Sequence, residues 1–273
     1  MVDFVSKPDY DINDLKQLIN LLCSPDGCPW DREQTHESIR RNMLEEAYEA
    51  ADAVRQGNIN DLIEELGDVL MQVVFHANIA QRSGEFTFDD ITTATCKKLI
   101  RRHPHVFGDI KANNGEESLS VWDDIKRKEK QHKSTSDAMK STARDLPALW
   151  RAEKIQSKAA KIGFDWPDYT GALNSLHKEI KELEEAINNL KANPDDPDAK
   201  NAVTEELGDI LFSTVNTARF FKTDPEEALG LTTDKFISRF ICLEQKAAEQ
   251  NKNFKDMSLD EMEELYQSVK LEK

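Results

Sequence analysis

The chain has little of what cross-links or anchors a fold. Its four cysteines, Cys23, Cys28, Cys96 and Cys242, are spread over 273 residues without a CxxC pair, which excludes a disulfide-stapled scaffold. Reduced, structural thiols are expected. The N-terminus, MVDFVSKPDYD, has no basic-then-apolar leader, so the expected compartment is the cytoplasm. No stretch approaches the roughly 20 apolar residues that a membrane-spanning helix needs. Basic charge is also short. Lys and Arg number 36 against 52 Asp and Glu, a net charge of −16. That argues against a nucleic-acid groove, because such grooves neutralise phosphates with cations. Small phosphate ligands remain open if metal ions bridge acid to acid. There is no Gly-rich phosphate loop, no Ser/His/Asp nucleophile context, and little strand signal.

What is present is helix. Ile12, Leu15, Leu18, Ile19 and Leu22 recur at helical spacing. After the turn-rich SPDGCPWDREQTH, a helix is expected from about Ser38 to Gln56, closed by Gly57. Asn58 caps a long helix to about Gln81, stopped by Ser83-Gly84. Thr87 and Asp90 read as a capping box for a helix that Pro104 ends, and another helix covers Leu119 to Lys130. KEKQHKSTSDAMKSTARD then loses the apolar period. The expected domains are therefore 1–130 and 146–273, with 131–145 as linker. The second half repeats the layout, with helices over Pro147–Lys161, from Thr170 to about Asn193, and from Pro197 behind an Asp196 cap to about Phe221. Asp224-Pro225 opens the next helix, and Ser258 with Glu261 caps the last. The fold class is all-α, as tandem duplicated helical bundles.

The pentapeptide EELGD occurs twice, at Glu64–Asp68 and at Glu205–Asp209. It belongs to a larger repeat. Glu46 and Glu49 stand three apart on one helix, as do Glu179 and Glu182; Glu65 and Asp68, and Glu206 and Asp209, do so on the next. Residues at i and i+3 share a helix face, and a short connection makes consecutive helices antiparallel neighbours. Four carboxylates then meet in each half. At about 100° per residue, Leu62, Leu66, Leu70, Val73 and Ala77 form an apolar stripe that Glu65 and Asp68 flank. Leu207, Leu211, Thr214 and Ala218 place Glu206 and Asp209 likewise. Clustered carboxylates at a core edge repel unless protonated or bound to cations, and oxygen-only ligands suit Mg²⁺ or Mn²⁺ over Zn²⁺. Gly67 and Gly208 each accept about 1 kcal/mol against Ala in mid-helix. The plain reading is close approach of another helix; the sharper one is room for a bound phosphate.

Basic residues follow in matched order. Lys98 and Arg102 are matched by Lys235 and Arg239, then Trp122 and Lys126 by Tyr266 and Lys270, each at i and i+4. Metals between carboxylates, with guanidinium and ammonium groups, meet the needs of a polyphosphate, and an aromatic ring offers a base a stacking surface. A lone ExxE or KxxxR is ordinarily a solvated helix face. Recurrence in the same order is harder to attribute to solubility, although descent from a duplicated bundle would also preserve it. Glu33-x-x-His36 and Glu129-x-x-His132 match the ExxH of di-iron bundles, but one falls in a loop and the other at the linker edge, whereas such sites need core helices. His103 and His105, flanking Pro104, read as a surface helix end or as phosphate contacts.

These motifs resemble the MazG family of nucleoside triphosphate pyrophosphohydrolases over nearly the whole length. The marks are GCPWDREQTHESI, LEEAYEA, EELGDVLMQVVFHA and RRHPHVFGD, then LPALWRAEKIQSKAAKIGFDW, EELGDILFSTVN and KFISRF. The resemblance implies an all-α pyrophosphatase fold in two tandem domains, a homodimer, and Mg²⁺-dependent hydrolysis of NTP or dNTP to monophosphate and pyrophosphate. It carries metal ligation onto Glu46, Glu49, Glu65 and Asp68, and onto Glu179, Glu182, Glu206 and Asp209. It carries substrate contacts onto Lys235, Arg239, Tyr266 and Lys270; the family usually has Trp where Tyr266 stands. Glu49 and Glu182 are the candidate catalytic bases. The acid pairs are 19 residues apart in the first half (46 to 65) and 27 in the second (179 to 206), which implies a longer loop around NPDDP. A non-catalytic nucleotide sensor, in one half or both, is the alternative.

Overall fold

In a computed structural model, residues 4–129, 134–250 and 252–271 are described. They form α-helices, a short 3-10 helix (Phe254–Asp256) and turns, with no strand among them. The chain separates into two compact units, Met1–Lys130 and Gln131–Lys273.

The first unit holds α1 (Ile12–Leu22), α2 (Pro29–Glu33), α3 (Arg40–Gln56), α4 (Ile59–Ser83), α5 (Phe88–Arg102), α6 (Pro104–Phe107) and α7 (Gly115–Glu129). Local chemistry sets the boundaries. The Asp11 carboxylate accepts from the Asn13 and Asp14 amides, and Thr87 with Asp90 makes a reciprocal capping box. Gly57 ends α3 at φ 68°, in the left-handed region that a side chain disfavours. Asn58 then caps α4 by accepting from the Asn60 and Asp61 amides. The turn is so short that α3 and α4 pack as an antiparallel pair. The core is made by Ile19, Cys23, Ile39, Val74, Phe75 and Ile79, with Leu15, Leu22, Met71 and Phe88 against it. Two short helices lie where sequence pattern indicated none: α2 in the CPWD stretch and α6 after His103, each with Pro in its first turn.

The second unit holds α8 (Thr135–Lys140), α9 (Ala148–Ala160), α10 (Tyr169–Ala192), α11 (Pro197–Phe220), α12 (Pro225–Glu249) and α13 (Leu259–Leu271). Within the stretch read as linker, α8 packs on α9, and the Lys158 ammonium donates to the Ala138 carbonyl and the Thr142 hydroxyl. Asp196 caps α11 ahead of Pro197, and α10 and α11 pack as the second antiparallel pair. Trp150 of α9 donates its indole N–H to Asp224, the cap of α12, at 2.8 Å. Ala172, Ala199, Val215, Leu243, Ala247 and Val269 are buried.

The apolar stripes require correction. Ala77 is buried as the wheel predicts, but Leu66 and Leu70 are 54% and 41% exposed, and Leu207 and Leu211 are 48% and 53% exposed. In α4 the buried face begins at Gln72 and Val74; in α11 it comprises Ala199, Ser213 and Val215. A helical wheel locates an apolar face but not what covers it, and each stripe runs past the helices that pack on it. The glycines follow suit. A Cβ added at Gly67 or Gly208 would meet nothing within 4 Å, so among the described residues close approach of another helix of the same unit does not account for them.

Candidate metal centres

In the first unit, α3 brings Glu46 and Glu49 to Glu65 of α4, with one carboxylate oxygen of each lying within 4.8 Å of the others. In the second, Glu179 of α10 meets Glu206 and Asp209 of α11 in the same way. The remaining acid of each quartet stays close enough to act. Burial, then the charges of Asp68, Glu49 and Glu65, raise the Glu46 carboxyl above its ordinary value. Burial with Glu49 and Asp68 raises Glu65. Burial, a hydrogen bond with Glu182 and the Glu182 charge raise Glu179, and burial with Glu182 and Asp209 raises Glu206. Each quartet is thus a group of like charges held together by helix pairing, and a polyvalent cation would relieve it. One atom supports that reading directly: Glu206 Oε2 is buried without a hydrogen-bond partner. Oxygen-only donors on two rigid helices fit a hard divalent ion.

The two quartets differ. Lys178 lies on the cage side of α10, its Nζ 2.7 Å from Glu182 Oε1, and this pairing, foremost among the causes, holds Glu182 below its ordinary value. Among the described residues, Lys178 is the cation that pairs with a cage acid. Pattern reading missed it, although the signal was available. The residue before the first cage acid is Glu45 in one half and Lys178 in the other.

The basic residues form separate groups. On α5, Arg102 donates through Nε and Nη2 to Glu129 Oε2 of α7, at 2.8 and 2.6 Å. Arg101 Nε reaches Glu129 Oε1 at 2.5 Å, and the two guanidiniums hold the Glu129 carboxyl down to about 2. The Trp122 ring carries the Arg102 guanidinium at 5.1 Å and the Lys126 ammonium at 4.4 Å. Lys98 is exposed on the same helix as Arg102. In the second unit Lys235 is exposed on α12, and Arg239 Nε is buried without a partner. Tyr266 of α13 lies against Phe236, with the Lys270 ammonium 5.6 Å from its ring. None of these cations forms an ion pair with a cage acid among the described residues.

The histidine readings resolve differently. His36 meets His76 of α4, Nδ1 to Nδ1 at 2.7 Å with the rings stacked. Glu129 is engaged by arginine, and His132 lies outside the described residues. His103 and His105 sit at the α5–α6 junction, their rings 5.5 Å apart.

A family model described as the MazG nucleotide pyrophosphohydrolase domain matches the chain twice, over residues 34–107 and 169–240. Each match contains one whole acid quartet and one KxxxR pair. The chain is 41% identical over 257 residues to a Thermotoga maritima protein named nucleoside triphosphate pyrophosphohydrolase/pyrophosphatase MazG, spanning 94% of each. It is 41% identical over 260 residues to the Escherichia coli K12 nucleoside triphosphate pyrophosphohydrolase, spanning 95% of this chain and 97% of that one. A Mycolicibacterium smegmatis nucleoside triphosphate pyrophosphohydrolase is 42% identical over 137 residues, 50% of this chain.

Proposed function

The chain belongs to the MazG family, and on that premise we propose that it hydrolyses nucleoside triphosphates at the α–β bridge, giving monophosphate and pyrophosphate with Mg²⁺, or Mn²⁺ as substitute. The carrying observation is the carboxylate cluster built once in each unit from two antiparallel helices, with a buried, unpartnered oxygen on Glu206. Glu46, Glu49, Glu65 and Asp68 would hold ions in the first unit, and Glu179, Glu182, Glu206 and Asp209 in the second. A divalent ion bound there supplies Lewis-acid polarisation of the phosphates and a more acidic water.

The protein's own part is positioning and proton handling. Glu49 or Glu182 accepts the proton of the water that attacks a phosphorus at the α–β bridge. The bridging phosphorus–oxygen bond breaks, and its electron pair goes to the departing group, pyrophosphate for attack at the α-phosphorus or the monophosphate for attack at the β-phosphorus. Lys98, Arg102 and Lys126, and Lys235, Arg239 and Lys270, are the groups assigned to that charge; Trp122 and Tyr266 are assigned to the base. Among the described residues no ion pair joins these cations to the cage acids, so a bound triphosphate would be what bridges the two groups. For the first unit, the Arg102–Glu129 pair favours a second reading, a nucleotide sensor without turnover, since the guanidinium already has a carboxylate.

A homodimer is part of the proposal, supported by the exposure of Ile59, Ile63, Leu66 and Leu70 along α4 and of Leu207 and Leu211 on α11. The net charge of −16 supports a partner list without nucleic acid. No helix among the described residues is long and apolar enough to cross a membrane; free cysteines at all four positions support a reducing, cytoplasmic home. The deciding experiment resolves products from a panel of NTPs and dNTPs with Mg²⁺. Monophosphate with pyrophosphate is expected. Diphosphate with orthophosphate would overturn the α–β assignment, and binding without product would favour the sensor.

A further inference from the structure

The two cages are built to one plan but are charged differently. Around the first, the position before Glu46 is Glu45, and Asp61, one turn before Glu65, adds its charge to that carboxyl. The matching positions in the second unit are Lys178 and Ala202. The two cages differ in geometry as well as in charge. The first unit's compact trio contains Glu49; in the second the matching Glu182 is absent from the trio and Asp209 takes its place. Glu182 instead bonds Lys178 one helical turn back, at 2.7 Å. An i, i+4 pair with the basic residue first opposes the preferred order along a helix, so helix electrostatics alone is a weak reason for this arrangement.

We propose that Lys178 is a resident counter-ion of the second cage, competing with the divalent ion for Glu182 and setting that cage's ion affinity below that of the first. An ion that takes Glu182 as a ligand must displace the ammonium or bind beside a like charge. Among the described residues no cation pairs with an acid of the first cage, and Asp61 adds a negative charge there, so an ion entering it meets no resident counter-ion. Lys178 is a positioning residue in this scheme, acting on the ion through Glu182. The inference rests on the reading of the quartets as ion sites.

Mn²⁺ titration of the full-length, nucleotide-free chain, read by electron paramagnetic resonance of free ion, tests it. Two affinity classes are expected. Glu206→Gln should remove the weaker and Glu65→Gln the tighter. Lys178→Met should tighten the weaker class by about two- to fivefold, the range for removing one exposed competing charge. Lys178→Arg, which keeps a cation, should stay within about twofold of wild type on the same reasoning. Glu45→Lys should weaken the tighter class. A second-cage affinity unchanged by Lys178→Met, with Mn²⁺ still bound at both cages, would overturn the role of Lys178 and leave the ion sites standing. No Mn²⁺ bound at either cage would overturn both.

Discussion

Arg102 and Glu129 are joined by two hydrogen bonds to one carboxylate oxygen, at 2.8 and 2.6 Å, and Arg101 takes the other oxygen. The contact ties α5 to α7. The Glu129 carboxyl falls from an ordinary 4.5 to about 2, so its contribution to stability is full above about pH 4.5 and is lost as pH falls toward 2. Glu129→Gln should lower the urea midpoint of the first unit near neutrality, and the gap from wild type should narrow as pH drops through that window. A gap that stays constant with pH would mean that the arginines are not what holds the carboxyl down.

The Nδ1 atoms of His36 and His76 lie 2.7 Å apart, too close for an N–H on each, so the two rings cannot both be charged without separating. Burial first, then the His36 charge, lowers the affinity of His76 for a proton. The sign follows: the unfolded chain binds more protons here, so stability is complete above the ordinary histidine value and declines as pH falls through it. Between about pH 7 and pH 5, the first unit should lose stability, and His76→Gln should flatten that slope. The check is a series of urea melts across the range; an equal slope in the variant would sink the account.

Gly171 is needed for close approach. A Cβ there would lie 2.6 Å from Cδ2 and Cε3 of Trp166, carbons of the rigid indole and not a flexible tip. Gly171→Ala should therefore cost about 1–3 kcal/mol in the second unit, despite the gain in helix propensity. Trp166 fluorescence would report the displacement, and an unshifted spectrum with unchanged stability would contradict the packing.

The cage acids should oppose folding until an ion arrives. Burial and neighbouring acids raise Glu46 and Glu206, and a carboxyl raised in the folded state destabilises it above that value and ceases to as it is protonated. Glu46→Gln and Glu206→Gln should each raise the Tm of the EDTA-treated protein by about 1–2 °C. Each should also diminish the Tm gain on adding Mg²⁺. Calorimetry with and without the ion separates the effects; a lower Tm in EDTA would show that the carboxylates stabilise the bundle as they stand.

Much of the helical layout was legible because it is written locally. Asn58, Thr87 with Asp90, Asp196 with Pro197, and Ser258 with Glu261 all cap where their chemistry indicates. The i, i+3 acids are on facing helices because a turn as short as Gly57-Asn58 leaves the chain few other courses. Burial along α4 and α11 was not legible. Leu66 and Leu211 satisfy the wheel and are exposed, since periodicity specifies a face and not a neighbour. Glu129, set aside as half of an ExxH motif, was not legible as the partner of Arg102, because the two are 27 residues apart and meet only through the packing of α5 on α7.

By itself the sequence determined an all-α chain carrying one acidic constellation twice, because caps, helical period and i, i+3 spacing act within a few residues. Tertiary structure alone decided which carboxylates close into each trio and that Glu129 holds Arg102. Those outcomes depend on side chains from different helices, or on which of several nearby partners a side chain takes, and distance in space settles them where distance along the chain does not.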